Sequence, residues 1–396
     1  MPDRPATLNL CERRDNFLVA FMASLMREQV CLLPPSRALA VVGEVEARHP
    51  RSYRLDDDIV DEALAAGTTG SPVMPVIPPG RIVAIGYTSG STGRPQAHPK
   101  TWGAFAAVTG FNAARIRAAL RAPGGALPWI VATVPPQHMY GLETSVLLPL
   151  LGNMGIHCGR PLYPADVAAA LAELPEPRVL VSTPLHLRAL LLSRIALPPV
   201  EVVVSATAPL TADVAKAVEQ RCGSALLEFF GSTETCVIAS RRTASESVWH
   251  SYPGVTLQPS DDATLVDAPW FPAPVLLQDV LEVRADGKFV VRGRNTDMVE
   301  VGGKRASLAD LTRRLLAVPG VRDAVVFQPD SVGNVAVRRL AALVVADDLT
   351  AADVLKGLAP SVDPVFLPRP LVFVPQLPRN ELGKLPRDLL LAALGR

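Results

Sequence analysis

From about residue 81 to residue 230 the chain alternates between two hydrophobic periods. Short β-branched runs are separated by longer stretches in which apolar residues return every three or four positions. Ile82 to Tyr87 reads as a strand, followed by a glycine-rich loop and a helical stretch from about Thr101 to Arg121. Ile130 to Val134, Val179 to Ser182, Val200 to Ser205 and Leu226 to Phe230 read as further buried strands. Helical segments near Leu142 to Leu151, Leu185 to Arg194 and Ala212 to Arg221 separate most of them. Strands alternating with helices predict parallel βαβ units and a sheet covered on both faces. Upstream, the apolar run from Phe17 to Pro34 is broken by Arg27, Glu28 and Gln29 and lacks a signal-peptide cleavage pattern. Its spacing suits a core-facing amphipathic helix.

After about Asp279 the pattern changes. Val280 to Val291 reads as a hairpin turning at Ala285-Asp286-Gly287. A glycine-bearing stretch follows, then a helix near Leu308 to Leu316 and strands around Val325 and Leu343. A helix near Ala352 to Leu358 and a proline-rich tail end the chain. This predicts a separate α+β domain of roughly 100 residues. With the boundary near Gly293, a large α/β domain spans residues 1–293 and a small α+β domain residues 294–396.

Composition narrows the function. The 396 residues suffice for two or three domains. With 49% hydrophobic and 19% charged residues and a net charge of +1, the chain lacks the basic bias of a nucleic-acid binder. No run is long and apolar enough to span a bilayer, so a cytoplasmic enzyme is the expectation. The cysteines, at positions 11, 31, 158, 222 and 236, form no C-x-x-C pair. That argues against a disulfide framework and a structural zinc site, and predicts buried reduced thiols. Only six lysines occur (Lys100, Lys216, Lys288, Lys304, Lys356 and Lys384), so each carries more information than usual.

Four motifs could carry chemistry. Thr88-Ser89-Gly90-Ser91-Thr92-Gly93-Arg94-Pro95 follows the first strand of the alternating region. Its hydroxyls and glycines let O–H and backbone N–H groups converge on an anion, and a helix N-terminus directly after it would favour phosphate. The Walker A spacing is absent, and a plain surface turn is the competing reading. Phe229-Phe230-Gly231-Ser232-Thr233-Glu234-Thr235 ends another strand, where parallel sheets bind ligands. Its hydroxyl and carboxylate suit a phosphate oxygen and Mg²⁺, or equally a helix N-cap with a first-turn Glu. Gly293-Arg294-Asn295-Thr296-Asp297, with Gly302-Gly303-Lys304-Arg305, offers an arginine clamp and a close backbone approach, or a polar linker. Pro378-Arg379-Asn380-Glu381-Leu382-Gly383-Lys384 presents a lysine on a glycine-bearing loop, which taken alone reads as a solvated surface lysine.

Taken in order, the four motifs resemble the adenylate-forming superfamily of acyl-CoA synthetases, AMP-dependent ligases, luciferases and peptide-synthetase adenylation domains. The resemblance runs from about residue 81 to the end. It implies the adenylate-forming fold, with ATP and Mg²⁺ as cofactors and an acid–thiol ligase activity. Thr88, Ser89, Gly90, Ser91, Thr92 and Gly93 resemble the phosphate loop. Gly231 and Ser232 fall in the motif whose threonine and glutamate match Thr233, a nucleotide and phosphate contact, and Glu234, the Mg²⁺ ligand. Asp279 matches the ribose-gripping aspartate, Arg294 the ribose-binding arginine, and Lys384 the lysine that bridges carboxylate, ribose and α-phosphate. Gly302 and Gly303 would line the pantetheine tunnel, with Arg305 near its phosphate. The resemblance also implies a mobile small domain hinged at Thr296 to Asp297.

The chain departs from the family in places. The loop lysine of the usual Pro-Lys-Gly is replaced in Pro95-Gln96-Ala97, with Lys100 three residues away as a candidate substitute. Fewer residues precede the loop than in other members, so a trimmed N-terminal domain is expected. Pro135-Pro136-Gln137-His138-Met139-Tyr140-Gly141 resembles the acyl-pocket motif, with His138 beside the carboxylate, and Ser205-Ala206-Thr207-Ala208-Pro209-Leu210 resembles the next pocket wall. No acidic residue in these motifs could hold an α-amino group. The short chain and the P-P-Q-H-M-Y-G-L-E run look most like pigment-pathway ligases of the aryl-polyene or xanthomonadin type. The expected substrate is therefore an aromatic acid of the hydroxybenzoate or cinnamate type. The acceptor is CoA or the 4'-phosphopantetheine of an acyl carrier protein. A medium-chain acyl-CoA ligase and a non-catalytic nucleotide- or acyl-binding protein are the alternatives. The oligomeric state is left open.

Overall fold

In the computed structural model, the residues described are 4–35, 37–67, 76–89, 95–122, 125–261, 263–294, 298–301, 304–329, 339–380 and 383–395. The chain divides into two compact units, one of Met1–Thr256 with Val266–Val275, the other of Leu257–Leu265 with Leu276–Arg396. This division falls upstream of Gly293. The reason is the hairpin beginning at Asp279, whose backbone carbonyl accepts a 2.8 Å hydrogen bond from Thr264 Oγ1. That bond and the hairpin ladder bind residues 257–265 and 279–294 into the second unit.

Two sheets build the first unit. Ala6–Asn9 (β1), Val30–Leu33 (β2), Ser52–Leu55 (β3), Ile82–Ser89 (β4) and Pro95–Thr101 (β5) form one, in the order β3-β1-β2-β4-β5. β3, β1, β2 and β4 run parallel, and β5 is antiparallel to β4. The other contains Trp129–Ala132 (β6), Gly155–Ile156 (β7), Arg178–Ser182 (β8), Val202–Ser205 (β9), Ala225–Ser232 (β10), Cys236–Arg241 (β11) and His250–Ser251 (β12). Its order is β12-β11-β10-β9-β8-β6-β7, parallel except at the β11 and β12 edge. Every residue of Val202–Ser205 is buried, as a strand covered on both faces requires. The helices start where a side chain can satisfy an orphan N–H. Thr101, Thr183 and Thr211 accept from the backbones of Ala104, His186 and Val214.

The run after Phe17 is helical only as far as Met26. Glu28 then adopts a left-handed conformation (φ 58°), and Val30–Leu33 enters the sheet. A four-residue strand shows no helical period of its own, so the predicted single helix splits in two elements. Arg14, at the start of this helix, is 1% exposed. Its Nη2 donates to the carbonyls of Ala132 at 3.0 Å and Val134 at 2.9 Å, tying the helix to the end of β6. Burial and the neighbouring Arg160 push its guanidinium down to about 9.

In the second unit, Thr256–Pro259 (β13), Thr264–Asp267 (β14) and Val275–Leu277 (β15) form a short sheet that borrows residues from the first unit's range. Asp279–Val283 (β16) and Phe289–Arg294 (β17) form the predicted hairpin, with Gly287 at φ 77° in its turn. Met298–Val301 (β18) pairs with Lys304–Ser307 (β19). Val321–Phe327 (β20), Ala341–Ala346 (β21) and Leu371–Phe373 (β22) form a last sheet, packed by the helices Leu308–Leu316 and Ala351–Leu358 around Val326, Ala342 and Val344. The tail is less plain than its prolines suggest, since it also carries β22 and the helix Arg387–Ala393. Of the cysteines, Cys11, Cys31 and Cys236 are buried as expected, Cys222 is intermediate and Cys158 exposed; all are free thiols. Among the described residues no helix is long and apolar enough to cross a membrane.

One buried hydroxyl links the strand ends of the larger sheet. Tyr140 Oη sits 3.0 Å from the carbonyls of both Ser182 and Val204, at the ends of β8 and β9. Tyr140→Phe keeps the ring but leaves these carbonyls short of a donor. It is expected to cost about 1–2 kcal/mol, read as a lowered urea midpoint at unchanged slope.

Candidate active site

The glycine-rich loop sits at the tip of a β-hairpin. β4 enters it and β5 leaves it antiparallel, with Ser89 opposite Pro95. The expected strand–loop–helix order is therefore corrected: seven strand residues separate the loop from the helix Trp102–Ala119, so no helix N-terminus adds its field there. The cause is the Gln96–Thr101 segment, whose buried His98 and Lys100 alternate with exposed Ala97 and Pro99 in a period of two. Gly90, Ser91, Thr92 and Gly93 lie outside the described residues, as do Gly302, Gly303 and the Thr296–Asp297 hinge. The same holds for the side chains of Ser89, Arg294 and Arg305.

The Ser232–Thr235 segment is a tight turn between β10 and β11, not the first turn of a helix. Ser232 Oγ accepts from the N–H groups of Glu234 at 3.2 Å and Thr235 at 3.3 Å. Thr235 Oγ1 in turn accepts from Ser232 N at 3.1 Å and donates to the Cys236 carbonyl at 2.8 Å. The pairing register shifts between Phe230 and Gly231, and Cys236 takes φ 60°. Gly231 is required here, because a Cβ would stand 2.1 Å from the Cys236 carbonyl oxygen. The bulge re-aims Thr233 and Glu234 away from the ladder.

Three motifs converge on Gly86 of β4. A Cβ there would come within 3.1 Å of both Thr233 Cγ2 and Met139 Cε. The base of the loop, the Ser232–Thr235 turn and the helix beginning after His138 are thus in direct contact. His138, partly exposed, occupies the N-cap of Met139–Leu142, and its carbonyl accepts from Leu142 N at 2.7 Å. Gly141 has no alternative, since a Cβ would lie 1.9 Å from the Pro135 oxygen.

His98, Lys100 and Glu143 complete the cluster. His98 Nε2 lies 3.0 Å from Thr88 Oγ1 and 3.6 Å from Glu234 Oε1, so it joins the loop base to the candidate metal carboxylate. Burial holds the imidazole below its ordinary value, against the upward pull of Glu234. Burial alone would raise the Glu234 carboxyl, but the Ser232 hydroxyl, its own backbone, His98 and Lys100 together hold it lower. Lys100 is 5% exposed, and its Nζ donates to the Glu234 backbone carbonyl. Its ammonium is thus committed beneath the turn rather than poised at the loop tip. Glu143, the residue after the P-P-Q-H-M-Y-G-L run, accepts from Val237 N at 3.0 Å. His98 could have been found from its period with Lys100; Glu143 had no signal beyond its place in that run.

The second unit carries the remaining residues. The β16–β17 register sets Asp279 directly opposite Arg294, bringing together the two residues matched to ribose binding. Asp279 is buried. Gly293, at φ 151°, leaves room for Ser307, whose Oγ would be 2.4 Å from an added Cβ. Lys384 is exposed on a loop closed by paired bonds. Its N–H donates to Asn380 Oδ1 at 2.9 Å, and its carbonyl accepts from Asn380 N at 2.9 Å. Arg379 anchors that loop to Asp323 at 3.0 Å and to the Gly383 carbonyl at 3.0 Å.

A two-sheet α/β unit followed by a small α+β unit is the adenylate-forming enzyme fold. The chain belongs to the AMP-binding enzyme family, whose model matches residues 19–296. A 4-coumarate–CoA ligase of Halorhodospira halophila is 32% identical over 314 residues, covering 75% of this chain and 73% of that one. A 4-coumarate–CoA ligase of Rhodobacter capsulatus is 32% identical over 242 residues, and the match spans 60% of this chain and 58% of that ligase. Among solved structures, ATP-bound MatB of Rhodopseudomonas palustris superposes with a TM-score of 0.79 at 21% identity, covering 98% of this chain and 88% of that one. The O-succinylbenzoate CoA synthetase of Bacillus subtilis with AMP gives 0.80 at 16% identity, covering 97% and 87%. These two likenesses speak to the fold.

Glu143 provides a measurable consequence. Burial pushes its carboxyl up to about 7, against the pull of the Val237 N–H, Lys100 and Asn112. A raised value in the folded chain means the fold prefers the protonated form. Its contribution to stability is whole below the ordinary carboxyl value of 4.5 and lost as pH rises through about 7. Glu143→Gln should therefore flatten the decline in stability between about pH 5 and about pH 8, by on the order of 3 kcal/mol in urea titrations. An unaltered decline would show that Glu143 ionises as freely as an exposed carboxyl.

Proposed function

We propose that the protein is an AMP-forming acid–thiol ligase that activates an aromatic carboxylic acid of the hydroxybenzoate or cinnamate type. The observation that carries this reading is the meeting of the loop base, the Thr233–Glu234 turn and the His138 helix at Gly86. It sets phosphate-binding groups beside the acyl-pocket motif. The names of the two 4-coumarate–CoA ligases support an aromatic acid.

In the first half-reaction a carboxylate oxygen attacks the α-phosphorus of ATP, the bond to the β-phosphate breaks and pyrophosphate leaves. In the second, a pantetheine thiolate attacks the adenylate carbonyl and AMP leaves with the bonding electrons. Charge builds mainly on phosphate oxygens, so catalysis is positioning and electrostatic stabilisation. A hard cation bound through one carboxylate and substrate phosphates is the usual Mg²⁺ arrangement, and the partly exposed, hydrogen-bonded Glu234 fits it. There Mg²⁺ would offset charge on the triphosphate. Thr88 and Thr233 would orient phosphate oxygens, Asp279 and Arg294 the ribose, and His138 the acid. Lys384 would supply the cation for the α-phosphate. The acceptor is CoA or a carrier-protein phosphopantetheine; pigment-pathway ligases of the aryl-polyene type are the narrower match.

The test is acid-dependent pyrophosphate release from ATP and Mg²⁺ across aromatic and medium-chain acids, with wild type and Lys384→Ala. Release with an aromatic acid, lowered roughly hundredfold or more in the variant, is the expected outcome. Preference for medium-chain acids would move the assignment to a fatty acyl ligase. No release with any acid, despite ATP binding, would make the chain a nucleotide-binding protein without ligase chemistry.

A further inference from the structure

Beneath the Ser232–Thr235 turn lie two buried titratable side chains that the chemistry of adenylation does not itself consume. Lys100 is 5% and Glu143 2% exposed. Lys100 Nζ donates to the Glu234 carbonyl within the turn, and Glu143 Oε2 accepts from the Val237 N–H in β11, just past it. The Lys100 charge pulls the Glu143 carboxyl down against its burial, and both residues act on the buried Cys236 thiol. Asn112 also acts on Glu143, and its Oδ1 accepts from Tyr252 Oη at 2.7 Å.

The two residues come from different functional elements. Lys100 lies on β5, the strand that leaves the glycine-rich loop. Glu143 opens a π-helical segment, Glu143–Leu147, inserted directly after the His138 helix. Such segments sit at functional sites more often than their rarity predicts. The turn they hold stores strain, with a non-glycine residue at φ 60° and a bulge at Gly231. Backbone of that kind persists only where its surroundings over-determine it. Buried polar side chains of this kind are not needed for stability, because well-packed apolar ones usually serve as well; what their backbone hydrogen bonds add is direction.

We propose that Lys100 and Glu143 are positioning residues that fix the Thr233–Glu234 turn against both the loop hairpin and the acyl-pocket helix, presenting it to the triphosphate. The proposal rests on the ligase reading. It gives Lys100 a role distinct from that of a lysine at the loop tip, acting through the Glu234 backbone.

The experiment is hydrogen exchange on the full chain, compared with pyrophosphate-release kinetics, in the double variant Lys100→Met/Glu143→Met. Removing both charges avoids stranding either one, so the fold should survive. Amides of residues 231–237 are expected to exchange about tenfold faster while the core strands stay protected. kcat should fall roughly thirtyfold with KM for the acid within about threefold, and Lys100→Arg, which keeps the donor cation, should recover most of the loss. If the double variant does not fold, Glu143→Gln carries the same measurement, with exchange at 231–237 about threefold faster than wild type. Turn amides that exchange as in wild type would overturn the proposal, as would a loss confined to KM for the acid. The exchange readout needs no substrate. Absence of pyrophosphate release in wild type would therefore count against the ligase reading, and unchanged exchange against the positioning role.

Discussion

A polar group placed in a protein interior must be answered there, and two such groups, Lys100 and Glu143, lie together beneath one turn of the first unit. Each is satisfied by a backbone group, Lys100 by the Glu234 carbonyl and Glu143 by the Val237 N–H. Satisfying them dictates where β5, the His138 helix and the turn can stand relative to one another. Gly86 then allows that arrangement to close, because any side chain at that position would force Thr233 and Met139 away. Thr233 and Glu234 stand half-buried on that turn.

The second unit achieves its placement differently. Asp279 and Arg294 need no buried charge to meet, since antiparallel pairing sets them opposite each other. Lys384 is presented by a loop that its own main chain closes on Asn380 and that Arg379 ties to Asp323. Holding the lysine on a fixed loop leaves only the side chain's own freedom to be ordered when it meets a partner.

The departures from the family pattern acquire a physical meaning in this frame. Gln96 stands exposed on β5 where relatives have the loop lysine, while Lys100 on the same strand turns inward. The cation has not been shifted along the loop. It has been placed under the neighbouring turn, facing Glu143 and Cys236, and His98 takes up the contact between Thr88 and Glu234.

Local pattern was enough for the elements with a strong period or clear punctuation. The buried strands Arg178–Ser182 and Val202–Ser205, the capped helices Trp102–Ala119 and Leu308–Leu316, and the hairpin turning at Gly287 all stand where the residues place them. The four motifs together carried the resemblance to the family whose model matches residues 19–296. The split of the Phe17 run into helix and strand was hidden, because four apolar residues show no period that separates one from the other. The loop's place in a hairpin was hidden too. His98 and Lys100 are polar, and only the tertiary fold provides the turn and the Glu143 carboxylate that make their burial favourable. Residues distant in sequence had to meet before the bond of Lys100 to the Glu234 carbonyl, of His98 to Thr88, or the pairing of Asp279 with Arg294 could exist. Composition and period act over a few residues, whereas these contacts span between ten and more than a hundred, and long-range packing alone decides them.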